Sequence, residues 1–262
     1  MFLPEMRPPT RLARRFPGRM PDKPMPGRPM PGPEVPGAAD VAAQLAAVQV
    51  QCRRGGRTLL RDVSFDVACG QIVELRGANG SGKTTLMRVL AGLTPPSGGT
   101  LHWQNAPLSP GAEAYVRQMA YLGHQNALSA ELSATENLHF FRHLQGGAVR
   151  EPSETLQAWG LAHVAHHPVR RLSQGQRRRL ALARVWSRQC SLWLLDEPCA
   201  ALDDAGAKLL DARLTEHLQR GGMAVVATHR PLGVPAAALR TLDLDALSLA
   251  PGRVAAAPCA TC

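Results

Sequence analysis

From about residue 42 the chain passes through short apolar runs and longer stretches in which apolar residues recur three and four apart. "AAQLAAVQVQCRR" and "LRDVSFDVA" read as strands joined by the turn "RGGR". "GQIVELRG" is a short strand feeding a glycine-rich segment. "KTTLMRVLAGL" follows, with Leu86, Val89, Leu90 and Leu93 at helical spacing. Between about 126 and 175 the pattern turns helical. "SATENLHFFRHLQ" opens with a capping signal, Ser133 or Thr135 ahead of Glu136, and "SETLQAWGLAHVAHH" reads as a second helix. Then "CSLWLLDEP" and "GGMAVVATH" read as buried strands, with "DAGAKLLDARLTEHLQRGG" as the helix between them. Strands alternating with helices imply an α/β fold with a mainly parallel sheet and crossover connections, here carrying a helical insert.

Residues 1–40 depart from this pattern. They hold half of the 22 prolines, including "PDKPMPGRPMPGPEVPG", and are expected to form an extended, disordered basic arm. Residues 41–250 are the expected folded domain, and 251–262 a flexible tail. The tail contains Cys259 and Cys262 in "PCATC", a CxxC that lacks the second pair or the following His of a metal or haem site. No apolar run approaches the ~18 residues of a membrane span, and the N-terminus lacks the apolar core of a signal peptide. The expectation is a cytoplasmic protein, unless a partner holds it at a membrane.

The net charge of +10 invites a nucleic-acid partner, but it comes from 27 Arg against three Lys, with only 4% aromatics. A base-stacking surface needs aromatics among its basic residues, so no nucleic acid is expected.

The chemistry begins at "LRGANGSGKTTL". Gly77, Gly82, Lys83 and Thr84 satisfy G-x-x-x-x-G-K-[ST], between a strand and a helix. Loop residues Gly77, Ala78, Asn79, Gly80, Ser81 and Gly82 can turn backbone N–H groups onto a triphosphate, with Thr85 also at the helix start. Lys83 can reach the β- and γ-phosphates and the Thr84 hydroxyl can ligate Mg²⁺. ATP and Mg²⁺ are therefore the expected ligands. A chain that prefers Arg so strongly nevertheless places one of its three lysines here. In "LWLLDEP", Asp196 ends an apolar strand where a carboxylate would hold the metal, and Glu197 follows, placed to activate the attacking water.

"RRLSQGQRRRLALARVW" brings the reading to a family. "LSQGQ" resembles the LSGGQ signature of ABC-type ATPases, and the other motifs fall in that family's order. Gln125 in "YLGHQNALSAELSATENL" resembles the Q-loop glutamine, "CAALDD" with Asp203 the D-loop, and His229 in "VVATHRP" the H-loop histidine. The resemblance implies a P-loop NTPase fold of ABC type, with an antiparallel β portion and a helical subdomain at about 126–175. It implies catalytic roles for Glu197, His229 and Gln125, Mg²⁺ contacts from Thr84, Gln125 and Asp196, and nucleotide contacts from Ser173 and Gly175. Those last groups sit on the helical insert and should close over a second copy's nucleotide, giving a head-to-tail homodimer. One departure is the absence of the aromatic that stacks on adenine. Cys52 and Arg53 stand in that region, and Arg53 could stack by its guanidinium plane.

Further details resemble one subfamily, the ATP-binding subunit of the haem exporter complex of bacterial cytochrome c maturation: "GHQ", "LARVW" and "THRPL", within a cassette of about 200 residues. That resemblance implies a peripheral protein on the cytoplasmic face of the inner membrane, bound to integral membrane subunits that handle the haem. The segment "ELSATENLHFFRHL" would dock a cytoplasmic helix of a membrane subunit. The alternatives are an ATPase subunit of another ABC exporter, or a nucleic-acid-associated ABC ATPase favoured only by charge.

Overall fold

A computed structural model describes residues 43–109, 111–145 and 149–249. The proline-rich arm, the C-terminal tail and its CxxC lie outside the described residues.

β1 (Ala43–Arg54) and β2 (Arg57–Ala68) form the expected hairpin. Its turn is Gly55–Gly56, both with positive φ (55° and 78°), the geometry a two-residue hairpin loop requires. β4 (Gly98–Trp103) pairs with the other edge of β1 and carries the short β5 (Ala106–Pro107), giving an antiparallel sheet ordered β2-β1-β4-β5.

The second sheet contains β3 (Ile72–Arg76), β6 (Met119–Leu122), β7 (Leu192–Asp196), β8 (Met223–Ala227) and β9 (Leu239–Asp243). Its order is β6-β7-β8-β3-β9 and its ladders are parallel. β7 and β8 are buried at every position, which is why they read as unbroken apolar runs rather than alternating ones. The helices are α1 (Lys83–Leu90), α2 (Glu113–Gln118), α3 (Ala134–Gln145), α4 (Pro152–Ala158), α5 (Gln174–Ser187), α6 (Asp204–Gln219) and α7 (Leu244–Leu249). One core lies between the two sheets and α1; the other joins the parallel sheet to α5, α6 and the helical insert.

The structure corrects three details of the periodicity. α1 ends at Leu90 because Gly92 (φ 70°) turns the chain, and Leu93 is 55% exposed instead of continuing the buried stripe. Ser133, not Thr135, caps α3: its Oγ accepts from Glu136 N–H at 3.2 Å while the Glu136 carboxylate accepts from Ser133 N–H at 2.7 Å. The second insert helix stops at Ala158, where Gly160 (φ 65°) reverses the chain into a single tight turn at Ala162–Val164. Trp159 and Leu161 at this break are both buried, so packing and not helix propensity fixes the bend.

α6 is pinned to β7 by a stacked pair, Trp193 and His217, with ring centroids 4.0 Å apart and planes 9° from parallel. Burial pushes the His217 imidazole down to about 4, so it is neutral near pH 7, with Nε2 against the Met223 carbonyl at 3.1 Å. In the unfolded chain the same ring titrates near 6.5. Between these values the unfolded state binds the extra proton, so stability falls as pH drops from 6.5 toward 4, by up to about 3 kcal/mol. Urea midpoints measured across that window should show this slope, and His217→Phe should flatten it.

Candidate functional site

β3 delivers the chain into the loop 77–82, whose shape depends on two glycines. At Gly82 (φ 102°) a Cβ would lie 2.9 Å from Leu60 Cγ, and at Gly77 (φ 147°) it would lie 2.6 Å from Ser81 Oγ. A side chain at either place would be strained and would collide. α1 begins at once with Lys83, so the loop sits against the positive end of a helix. Lys83 is buried and folds back over the loop, Nζ donating to the carbonyls of Gly77 at 2.7 Å and Ala78 at 3.1 Å. A third tie comes from far along the sequence. Asp245 on α7 accepts from Ala78 N–H at 2.7 Å, so that amide is already used inside the chain.

β7 ends on Asp196, which is 1% exposed, with neither carboxylate oxygen bonded within the described residues. A buried carboxylate whose oxygens accept no hydrogen bond is costly, even with the positive charge of Arg178 nearby. Its two unbonded oxygens, together with the Thr84 hydroxyl that lines the neighbouring cavity, would supply an all-oxygen donor set, the kind a Mg²⁺ ion and its waters take. The residues therefore fit the expected metal.

Glu197, immediately after, has φ 48°. Its Oε1 lies 3.4 Å from His229 Nε2, and the same imidazole nitrogen is 3.1 Å from Asn79 Oδ1. His229 thus bridges the acidic pair and the glycine loop.

These groups, the buried Asp196 excepted, border a cavity of about 300 Å³. Asn79, Gly80, Gly82, Lys83, Thr84, Thr85, Glu197 and His229 line it, while Gly77, Ala78 and Ser81 are not among its lining residues. Gln125 does not line it; its neighbour His124 does. Both residues lie in the bend that leaves β6, and of the two only His124 reaches the cavity wall. The adenine-side expectation fell on Arg53, next to Cys52. Cys52 faces the core at 1% exposure, Arg53 donates to the Gly56 carbonyl at 3.2 Å, and the cavity is lined instead by Arg54 and Leu59. Burial raises the Cys52 thiol to about 11, as suits a packing residue.

Ser173 and Gly175 lie outside this cavity. Ser173 caps α5 in a reciprocal box with Gln176, at 3.1 and 2.9 Å, which presents the N-terminus of a 14-residue helix. Asp203 caps α6, accepting from Gly206 N–H at 2.8 Å.

The loop–helix unit, the buried acidic strand end and the signature-like helix cap have counterparts in known proteins. Residues 60–200 match the family model described as ABC transporter. The chain belongs to the ABC transporter family. It is 48% identical over 205 residues to the cytochrome c biogenesis ATP-binding export protein CcmA of Bordetella bronchiseptica, covering 78% of this chain and 90% of that protein. It is 44% identical to a protein of the same description from Salmonella typhi, covering 76% and 96%. A solved ATP-binding subunit of an ABC transporter superposes with a TM-score of 0.64 at 26% identity, over 71% of this chain and 79% of that one. An ATP-binding cassette solved as a post-hydrolysis dimer with ADP and phosphate superposes at 0.63 and 24% identity, over 71% and 88%, which bears on the fold alone. As an ABC ATP-binding subunit this chain binds and hydrolyses ATP, and proteins of its kind work as dimers with membrane subunits.

The lining of the cavity separates two adjacent residues by experiment. His124→Ala should weaken ATP binding about tenfold, the scale of one hydrogen bond to a charged group. It should affect ADP much less, while Gln125→Ala leaves both affinities within about twofold. Titration of the two variants with fluorescent ATP and ADP analogues checks this, and the reverse ranking would return the role to Gln125.

Proposed function

We propose that this chain is the ATP-hydrolysing subunit of a haem exporter in bacterial cytochrome c biogenesis. It would sit on the cytoplasmic face of the inner membrane. The observation that carries the reading is the 44–48% identity, across nearly the whole folded chain, to proteins named for cytochrome c biogenesis and export. Among the described residues no helix is long and apolar enough to cross a membrane, so the membrane path would belong to other subunits.

In this reading the loop from Gly77 to Gly82 grips the triphosphate through its amides, that of Ala78 excepted because Asp245 holds it. Lys83 leaves the Gly77 and Ala78 carbonyls for the phosphates. Asp196 and Thr84 would hold Mg²⁺, which draws negative charge from the β- and γ-phosphates when bound. Glu197 accepts a proton from the attacking water. His229, already within 3.4 Å of Glu197 and 3.1 Å of Asn79, steadies the terminal phosphate. Ser173 and Gly175 would contact the nucleotide of a second copy, in keeping with their place outside their own chain's cavity.

The insert, from about 126 to 175, is the proposed docking element for the membrane subunits. α3 leaves Phe140 and Leu144 50% and 65% exposed, large apolar side chains that a partner helix could cover. Haem itself would be handled by those partners.

Affinity purification of the tagged subunit from detergent-extracted membranes tests this reading, with mass spectrometry and a scan for haem absorbance. Recovery of membrane proteins of cytochrome c biogenesis is expected. Recovery of an unrelated permease would keep the ATPase and overturn the haem assignment.

A further inference from the structure

α5 carries a second, buried device that none of the motif roles uses. Arg178 is 3% exposed in the middle of the domain, a place where a charged side chain must be fully bonded to be tolerated. A guanidinium has five N–H donors in a fixed fork, and here every one has an acceptor. Nε donates to the Pro198 carbonyl at 3.2 Å, and Nη2 to the carbonyls of Asp196 and Glu197, both at 2.7 Å. Nη1 donates to the Gly123 carbonyl at 3.2 Å and to Asn126 Oδ1 at 3.0 Å. Three bonds thus hold the turn 196–198 and two hold the segment that leaves β6 for the helical insert. That segment contains His124, which lines the nucleotide cavity. Nearly two turns further along α5, Arg184 repeats the grip. It donates to the Ala127 carbonyl at 3.1 Å and lies over the Phe141 ring of α3, 4.5 Å from its centroid.

The turn so held is a strained one. Glu197 adopts φ 48°, a left-handed conformation that costs a non-glycine residue on the order of 1 kcal/mol and persists only where its surroundings fix it. Here both flanking peptides are fixed. Glu197 N–H donates to the Ala227 carbonyl at 2.8 Å, and its own carbonyl takes the short bond from Arg178. The direction of the Glu197 carboxylate therefore depends on where the guanidinium sits, and the guanidinium is shared with the root of the insert.

We infer that Arg178 is a positioning residue that links the helical insert to the water-activating Glu197, so that displacement of the insert's root re-aims the carboxylate. The inference rests on the reading of Glu197 as the base given above. Nothing in it requires Arg178 to touch nucleotide, and it does not line the cavity. A partner that shifts the insert would change the rate of the chemical step while leaving the phosphate loop, and hence affinity, untouched.

The test compares Arg178→Lys, Asn126→Ala and Glu197→Gln in the complex purified with its membrane subunits and in the isolated subunit. Turnover, KM, affinity for a fluorescent ATP analogue and melting temperature are read for each. Arg178→Lys keeps the charge and loses the fork. It should lower kcat by up to about a hundredfold, the effect of a misplacement near 1 Å, with nucleotide affinity within about twofold of wild type. Asn126→Ala removes one of the two bonds on the insert side of the link, at a partly exposed residue, and leaves the Gly123 carbonyl bonded. It should leave basal turnover of the isolated subunit within about twofold and at least halve the stimulation contributed by the membrane subunits. Unchanged kcat in Arg178→Lys, a loss of affinity and melting temperature in step with kcat, or full stimulation in Asn126→Ala would each overturn the inference. Glu197→Gln should bind ATP without turnover. If it turned over at near the wild-type rate, the assignment of the base would fail, whereas a dead Glu197→Gln beside an active Arg178→Lys would sink only the link.

Discussion

The Asp196 carboxylate sets the terms for the rest of the site. It stands at the end of a strand buried at every position, 1% exposed, with both oxygens unbonded among the described residues. A buried carboxylate in that position calls for donors or cations; Arg178 brings a positive charge nearby, and a metal would add direct ligation. The carbon skeleton around it is built to keep it there. β7 lies between β6 and β8, its backbone is paired on both sides, and the Asp196 carbonyl is anchored by Arg178. The neighbouring groups are arranged about that point. The glycine loop approaches from β3, His229 from β8 and His124 from β6, so adjacent parallel strands each present one group at the same edge of the sheet. This is the carboxyl edge, where open α/β sheets bind their ligands.

The loop is held closed by interactions the triphosphate would have to replace. Lys83 occupies two carbonyls of its own loop, and Asp245 occupies the Ala78 amide. The first is a flexible side chain that can exchange partners. The second comes from α7, which packs beside β2 and β3 and braces the loop from outside. Ser173 and Gly175 lie away from this cavity, so one chain presents a phosphate-gripping half and, elsewhere, a capped helix end. That separation is what makes a second copy necessary in the proposed mechanism.

Much of this was legible in the residues. The β3–loop–α1 unit, the buried acidic strand end and the strand leading to His229 each announce themselves by a local pattern with a single physical reading. Backbone conformations that only glycine accepts left a mark at Gly77 and Gly82, and unbroken apolar runs marked β7 and β8. Other positions carry no such local mark. The resemblance pointed to Gln125 and to Arg53, but side-chain direction in the bend after β6 and at the end of β1 is decided by packing, and His124 and Arg54 line the cavity. β4, β6 and β9 are short, β4 and β9 are partly exposed, and pairing with strands far along the chain decides all three. Asp245 could not be anticipated at all, since its contact with Ala78 spans 167 residues. Arg178 was hidden in a run of arginines whose bland reading is a solvated face; only burial reveals that it differs from Arg177 and Arg179.

The most direct measurement of the central claim is the melting temperature of wild type and Asp196→Asn with ATP, in the presence of Mg²⁺ and of a chelator. If the buried carboxylate is completed by the metal of a bound nucleotide, wild type gains stability with Mg²⁺–ATP beyond what ATP and chelator give, by mass action on the folded state. Asp196→Asn should lose that increment and keep the metal-independent part supplied by the loop. An increment equal in both proteins would contradict the account, because the metal would then be held without the residue around which the site is arranged.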